Sequence, residues 1–553
     1  MRFLWLDINS SFSHSSLAIP SLDAQLDYKL RDAAEWSIVS GTTSTDTSVL
    51  ISQILIKRPD VVFSTLWLFN SLYVTSLLKR IKALLPDLKI ILGGPEFLGD
   101  NINFLNQNKE IYAVVRGDGE RVYPLLVSSL INSMDISKIE GVCLLYNDSY
   151  IDNGRVRSSD ISILQIPEKS VFFDFNKPFV QIETSRGCFN GCKFCVSGCK
   201  ERVSFINYES FKLRLQNLIN NGVKEVRILD RSFNANSKHA CEIIKIMSQF
   251  AGKLRFHLEI HPAFISDSFK RAIEILPQDM IHAEVGIQSL SENVLKIAGR
   301  EGTALNSLEG LKYLAGLRNI EVHADLIAGL PGYTLIRLFE DFSQLAKSGV
   351  SEIQVELLKV LPGTEFRNFS NYYKLKFSPI PQYEVLESDS MSFSDLLQAN
   401  ILSRVSDLWY NDSKWRSVFV RLINSETNFL NEFVSYLSLT KLHGISPEKC
   451  GMILYEFLLK KESENILYLT NAWLLSGFST YKGPGRLAKK WEIYFKGNSI
   501  PFDYKDYKDH FYYVINTKDT IFWHSYYKTT KTQSGYISLN KTTNIITDIK
   551  LFK

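Results

Sequence analysis

The sequence is short of several things, and each shortage excludes something. It has only seven cysteines in 553 residues, an odd number. That excludes a small scaffold stapled by disulfides. No run of 18 apolar residues occurs, so nothing in the sequence reads as a transmembrane helix. The opening Met1-Arg2-Phe3-Leu4-Trp5-Leu6-Asp7 is interrupted too early for a secretory signal, and a cytoplasmic protein is expected. Charge of one sign is also missing. The 63 basic and 59 acidic residues leave a net charge of +4, which gives no global reason to bind nucleic acid or an anionic membrane. With 45% hydrophobic and 22% charged residues, a largely disordered chain is excluded too. Nucleotide fingerprints are absent as well: no G-x-G-x-x-G follows the first strand-like run, and there is no G-x-x-x-x-G-K-[ST].

What is present falls into regions. Over 1–147, apolar runs (Phe3–Ile8, Trp36–Ser40, Asp60–Leu66, Lys89–Gly93, Ile111–Arg116) alternate with helical stretches such as Ser71–Leu85. That alternation predicts a doubly wound, Rossmann-like parallel sheet. A polar linker is expected over 148–170. Over 171–385 six further runs begin at Phe179, Glu225, Arg255, His282, Glu321 and Glu352. Their spacing leaves room for a crossover helix each and predicts a (β/α)6 partial barrel with reactive groups at the strands' carboxyl ends. Over 386–553 a mainly helical region (Ser392–Trp409, Ser417–Leu439, Gly451–Lys461) ends in a β-rich tail. The tail interleaves aromatics with Lys over Tyr504–Lys531. Asp506, Asp509 and Asp519 within it, and Asp503 just before it, dilute its charge, which favours a β cap over an RNA-binding surface.

The densest signal is Glu183-Thr184-Ser185-Arg186-Gly187-Cys188-Phe189-Asn190-Gly191-Cys192-Lys193-Phe194-Cys195, just past the first barrel strand. Three thiolates in C-x3-C-x2-C spacing can hold three irons of a cubane, leaving the fourth open to a small molecule. Zinc more often takes two separated Cys pairs. A plain electron-transfer cluster needs a fourth thiolate, for which only Cys199 is near. Cys199 otherwise reads as a pocket or structural residue, and Cys143, Cys241 and Cys450 as ordinary buried thiols.

This loop resembles the signature of the radical S-adenosylmethionine enzymes. The segments Glu284–Ser289, Asp325–Gly332 and Leu358–Thr364 resemble strand ends of the cobalamin-linked members. The resemblance spans about residues 1–410 and points to an uncharacterised branch. It implies a 4Fe–4S cluster on Cys188, Cys192 and Cys195, whose open iron S-adenosylmethionine chelates before one electron cleaves it to a 5′-deoxyadenosyl radical. It further implies contacts to S-adenosylmethionine from Phe194, Glu259, Gln288 and Arg300. In the first region it implies a cobalamin-binding domain with contacts at Asn9, Ser10, Ser64, Gly93, Gly94, Glu96, Gly117, Gly119 and Glu120. There is no D-x-H-x-x-G, so the corrin is expected base-off without a histidine ligand from the protein; His14 reads as a hydrogen-bonding loop residue.

Methyl transfer to an unactivated carbon or phosphorus is the implied reaction. Radical cyclisation or rearrangement is one alternative, and a non-catalytic corrinoid or iron–sulfur carrier is another. A small-molecule or peptide substrate and an electron donor such as flavodoxin or ferredoxin are the expected partners. A tRNA-modifying role would require salt-sensitive RNA binding by the last region.

Overall fold

The computed structural model describes residues 1–478 apart from Ser15, Ser158, Cys199 and Glu201, together with Pro484 and the backbone of four strands between His510 and Phe552. The role of Cys199 therefore lies outside the described residues, as do parts of the aromatic tail, Tyr504 among them.

The first sheet has seven strands: β1 (Arg2–Asn9), β2 (Glu35–Thr42), β3 (Val61–Thr65), β4 (Lys89–Gly93), β5 (Ala113–Val115), β6 (Val142–Tyr146) and β7 (Ser149–Asp152), in the order β2-β1-β3-β4-β5-β6-β7. β1 to β5 run parallel, and β6 and β7 are antiparallel additions. Helices cover both faces, so the central strands are nearly continuous in apolar residues. In the helix Ser71–Leu84, Val74, Leu77, Leu78 and Ile81 repeat at helical spacing and are fully buried against Leu4, Leu6 and Ile8. The other face buries Phe3, Trp5, Phe63 and Tyr123. The sheet continues past residue 147, where the sequence suggested a linker. Asn147 and Asp148 have φ of 48° and 59°, the left-handed pair that a two-residue hairpin needs, and the chain turns straight back into β7.

The second sheet holds the barrel strands in sequence order. β8 (Val180–Ile182) is followed by a short hairpin of β9 (Ser185–Arg186) and β10 (Ser204–Phe205). Then come β11 (Glu225–Ile228), β12 (Arg255–Ile260), β13 (Ile281–Gln288), β14 (Ile320–Ala328) and β15 (Glu352–Leu357). It is a six-stranded partial barrel. Beyond it, β16 (Lys376–Phe377) pairs with β17 (Val385–Glu387).

The chain forms two compact units. One contains the first sheet and nearly all of the barrel, up to Ala399. The other contains 400–553 with the short segments 342–347 and 352–354. In the second unit, helices Ser413–Ser425, Phe429–Tyr436, Pro447–Lys460 and Ile466–Leu475 pack around Trp409, Trp415, Phe433, Phe457 and Trp473. The expected single helix over Ser417–Leu439 is broken in two, with Asn428 at φ 61° between the halves. Four antiparallel strands follow: β18 (His510–Asn516), β19 (Thr520–Tyr527), β20 (Lys531–Asn540) and β21 (Ile545–Phe552).

Candidate functional site

The cysteine loop is fixed at its root by Asp230, which is fully buried just beyond β11. Its carboxylate accepts the backbone N–H of Thr184 (2.7 Å) and of Ser185 (2.9 Å), and also both hydroxyls. Burial pushes Asp230 up to about 6, while these donors act in the other direction. Gly187 then turns the chain with φ 103°; a Cβ there would lie 2.7 Å from the carbonyl oxygen of Arg202. Two remote segments hold the loop's middle. Lys193 N donates to Ala298 O (2.9 Å), and Phe366 N donates to Lys193 O (3.0 Å).

The thiols of Cys188, Cys192 and Cys195 border a small cavity of about 170 Å³. Phe194, Glu259, Gln288 and Arg300 line the same cavity, together with Arg231, His261, Glu284 and Asp325. Residues from six separate chain segments thus converge, as expected at the carboxyl ends of parallel strands. Arg300 Nη1 lies 3.9 Å from Cys192 Sγ. Burial raises the Cys188 thiol and pushes that of Cys192 to about 11, against the pull of Arg300. Burial thus favours the protonated form of both thiols, and a metal group would displace their protons. Glu259 is pushed to about 7 by burial, opposed by Arg231. Asp325 is also raised, by burial and then by the charge of Glu284.

Two observations test the fit of a polar, metal-bound occupant. Gln288 Oε1 and both ring nitrogens of His261 are buried without a hydrogen-bond partner, a state that costs roughly 1–3 kcal/mol for each group. Gln288 also holds φ 68°, the kind of backbone strain that collects at functional sites. Among the described residues no three His, Cys, Asp or Glu side chains are grouped to hold one metal ion. The cysteines ring a cavity instead of converging on a point, which suits a multi-iron cluster with a bound organic ligand better than zinc.

The inner face of the barrel is polar. In β12 the buried residues Phe256, Leu258 and Ile260 alternate with the partly accessible Arg255, His257 and Glu259. β13 and β14 add His282, Glu284, His323 and Asp325 at the same alternation. His257 Nε2 meets Glu284 Oε2 at 2.9 Å, and His323 meets Asp325 at 3.2 Å. The contact with His257 holds Glu284 below its ordinary value. The sequence reading gave no role to these three histidines. The signal that could have found them is the period-two alternation within each strand.

A larger cavity, about 550 Å³, lies between the carboxyl ends of the first sheet and the barrel. Asn9, Ser10, Ser64, Gly93, Gly94, Gly117, Gly119 and Glu120 all line it. Gly94, at φ 107°, leaves no room for a side chain, since a Cβ would lie 2.6 Å from Leu66 O. Glu96 is absent from this wall. The short helix Pro95–Phe97 carries it toward the barrel's last segments, where the hydroxyl of Tyr383 donates to it and Arg367 packs 4.7 Å from the Tyr383 ring. The sequence signal was the acidic residue beside a Gly pair; its direction depended on a tyrosine 287 positions away.

The cavity also reaches Trp5 and Phe63, which the sequence places only in strand-like runs, and Tyr123, to which the sequence pattern assigns nothing. His14 lines it too, with Nδ1 2.8 Å from Ser11 Oγ. Arg186 closes one side. Its guanidinium meets Glu120 (2.8 Å), Asp118 (3.2 Å) and Glu183 (2.5 Å), joining the Gly117–Glu120 loop to the root of the cysteine loop. These three carboxylates hold the Arg186 charge firmly in place.

Residues 182–345 match the Radical SAM superfamily, and residues 371–477 match a protein of unknown function family (DUF4080). An uncharacterized methyltransferase of Pyrococcus horikoshii is 24% identical over 379 residues, which are 63% of this chain and 77% of that one. The cobalamin-dependent radical SAM methyltransferase TokK of Streptomyces tokunonensis is 20% identical over 421 residues, 70% of this chain and 60% of TokK. Among solved structures, the cobalamin-dependent S-adenosylmethionine radical enzyme OxsB with aqua-cobalamin and S-adenosylmethionine bound superposes with a TM-score of 0.58 at 14% identity, covering 86% of this chain and 79% of OxsB. The three-cysteine loop and the barrel strands β11 to β14 thus lie within the stretch that matches the Radical SAM superfamily. Over a longer stretch the chain is similar to TokK in sequence and to OxsB in fold.

Proposed function

We propose that the protein is a cytoplasmic, cobalamin-dependent radical S-adenosylmethionine methyltransferase acting on an unactivated carbon or phosphorus of a small molecule or peptide. The observation that carries this is the pairing of two cavities, one ringed by Cys188, Cys192 and Cys195 and one lined by the strand ends of the first sheet, with Arg231 on the wall of both. A substrate between them would face both cofactors.

Cys188, Cys192 and Cys195 would hold a 4Fe–4S cluster, and S-adenosylmethionine on its open iron, given one electron from a donor such as flavodoxin or ferredoxin, supplies a 5′-deoxyadenosyl radical. The larger cavity would take cobalamin base-off, a carrier of the methyl group. The side chains supply position. Arg300, beside Cys192, offers its guanidinium to a carboxylate. Gln288 offers its unpartnered carbonyl, Glu259 a carboxyl that titrates near neutrality, and Phe194 an apolar face. Asn9, Ser10 and Ser64, on the wall of that cavity, would offer polar groups to the cofactor. Gly93, Gly94, Gly117 and Gly119 let its plane approach the backbone. Glu120 acts through Arg186 to keep that loop against the barrel.

The test is anaerobic reconstitution with iron, sulfide and cobalamin. A corrin absorption band that stays with the protein through gel filtration, formation of 5′-deoxyadenosine on reduction, and a product heavier by one methylene unit are the expected results. Product of unchanged mass would move the reaction to rearrangement. Failure to form 5′-deoxyadenosine with a full cluster would leave a carrier.

A further inference from the structure

His261 follows β12 and is 2% exposed, yet neither ring nitrogen has a hydrogen-bond partner. Its position is not loose. Asn234, itself buried, accepts from His261 N through Oδ1 (2.8 Å) and donates to His261 O through Nδ2 (2.9 Å). Phe264 and Phe189 stand 4.8 Å and 6.0 Å from the ring, and Phe189 directly follows Cys188. The imidazole cannot reach solvent without breaking this packing, and it borders the same small cavity as the three thiols.

A buried imidazole with both nitrogens idle is a net cost to the fold. A phenylalanine would fill the same volume without it. Retaining the polar ring makes sense when something in the cavity meets it. Burial holds the ring neutral, far below its ordinary value, at about 3. A neutral imidazole offers one donor and one acceptor, which matches a hydroxyl or the edge of a purine. A carboxylate accepts only, and Arg300 already answers that need beside Cys192.

We infer that His261 is a hydrogen-bonding contact for the nucleoside portion of S-adenosylmethionine in the cluster cavity, a binding residue additional to Phe194, Glu259, Gln288 and Arg300. This rests on the proposed function above, because it requires S-adenosylmethionine to occupy that cavity.

The test uses full-length, cluster-loaded protein and two variants, His261→Phe and His261→Gln. S-Adenosylmethionine binding is measured by calorimetry under anaerobic conditions, and thermal unfolding is followed without it. For His261→Phe the expected result is an unchanged or higher melting temperature, an unchanged iron content, and affinity about tenfold weaker, the equivalent of roughly 1.4 kcal/mol. Competition should show the same loss for 5′-deoxyadenosine and none for methionine. His261→Gln, which keeps a donor and an acceptor, should recover part of the affinity. Wild-type affinity in His261→Phe overturns the inference, as does an equal loss for methionine. A lowered melting temperature with affinity intact assigns the ring to structure alone. If the cluster-loaded wild type binds no S-adenosylmethionine, it is the proposed function that fails.

Discussion

The two parallel sheets of this chain are built on the same alternation of strand and helix, but they differ in what their faces hold. The first sheet is apolar on both: Leu4, Leu6 and Ile8 face one set of helices, and Phe3 and Trp5 the other. The barrel is apolar only toward its helices. Its inner face carries His257, Glu259, His282, Glu284, His323 and Asp325. A sheet packed on both sides can offer a ligand only its edge, where the strands stop. A curved sheet with an open interior can also offer the faces of its strands. The larger cavity accordingly opens at strand ends and glycine turns and reaches inward along one face as far as Trp5 and Phe63, whereas the smaller one is flanked by the polar strand residues of the barrel.

Five substitutions can break or sharpen this contrast. The largest effect belongs to the barrel loop. Cys192→Ala should reduce 5′-deoxyadenosine formation to background while circular dichroism stays unchanged, with iron content as the check. Next comes a paired stability measurement. Leu77→Ala, beneath the first sheet, should cost about 2–5 kcal/mol in urea unfolding. His257→Ala, on the accessible inner face, should cost only about 1 kcal/mol, the worth of its bond to Glu284. Equal losses would mean the barrel interior is packed like the first sheet's core.

A pH effect is smaller. Glu259 has a carboxyl raised from 4.5 to about 7 in the folded chain. The fold therefore binds the proton more tightly than the unfolded chain does, and stability falls as pH rises from about 4.5 toward 7. The slope is at most about 1.4 kcal/mol per pH unit. Glu259→Gln should flatten the profile in that window when urea midpoints are compared across pH. The smallest effect is expected from Glu96→Gln. With its carboxylate turned to Tyr383, cobalamin retention should change less than about twofold, well below the tenfold that 1.4 kcal/mol represents.

Much of this was legible in the sequence because it depended on local pattern. Six barrel strands announce themselves as runs spaced to leave a crossover helix between them, and the cysteine spacing fixes the loop. Residues at strand ends could be named because parallel strands must deliver them to one side. What was not legible depended on partners far along the chain. Glu96 is turned by Tyr383, and Arg186 gathers carboxylates from two loops. The β6–β7 hairpin was missed for a different reason. Its Asn147-Asp148 turn lacks the glycine that usually marks one, and β7 reads as a polar connector because its residues are at most half-buried. His261 stands just past the end of a barrel strand, but only the packed structure shows that its nitrogens are idle.

The two backbone bonds at Lys193 set an order of events during synthesis. Ala298 and Phe366, which grip the loop from opposite sides, leave the ribosome long after the three thiols do. Until then the cysteines are an unsupported sulfur-rich stretch, open to oxidation and to stray ions. A cluster on these thiols would therefore have its full support only once the barrel had closed behind them, so a nascent chain halted before Phe366 should take up iron poorly even with every cysteine present.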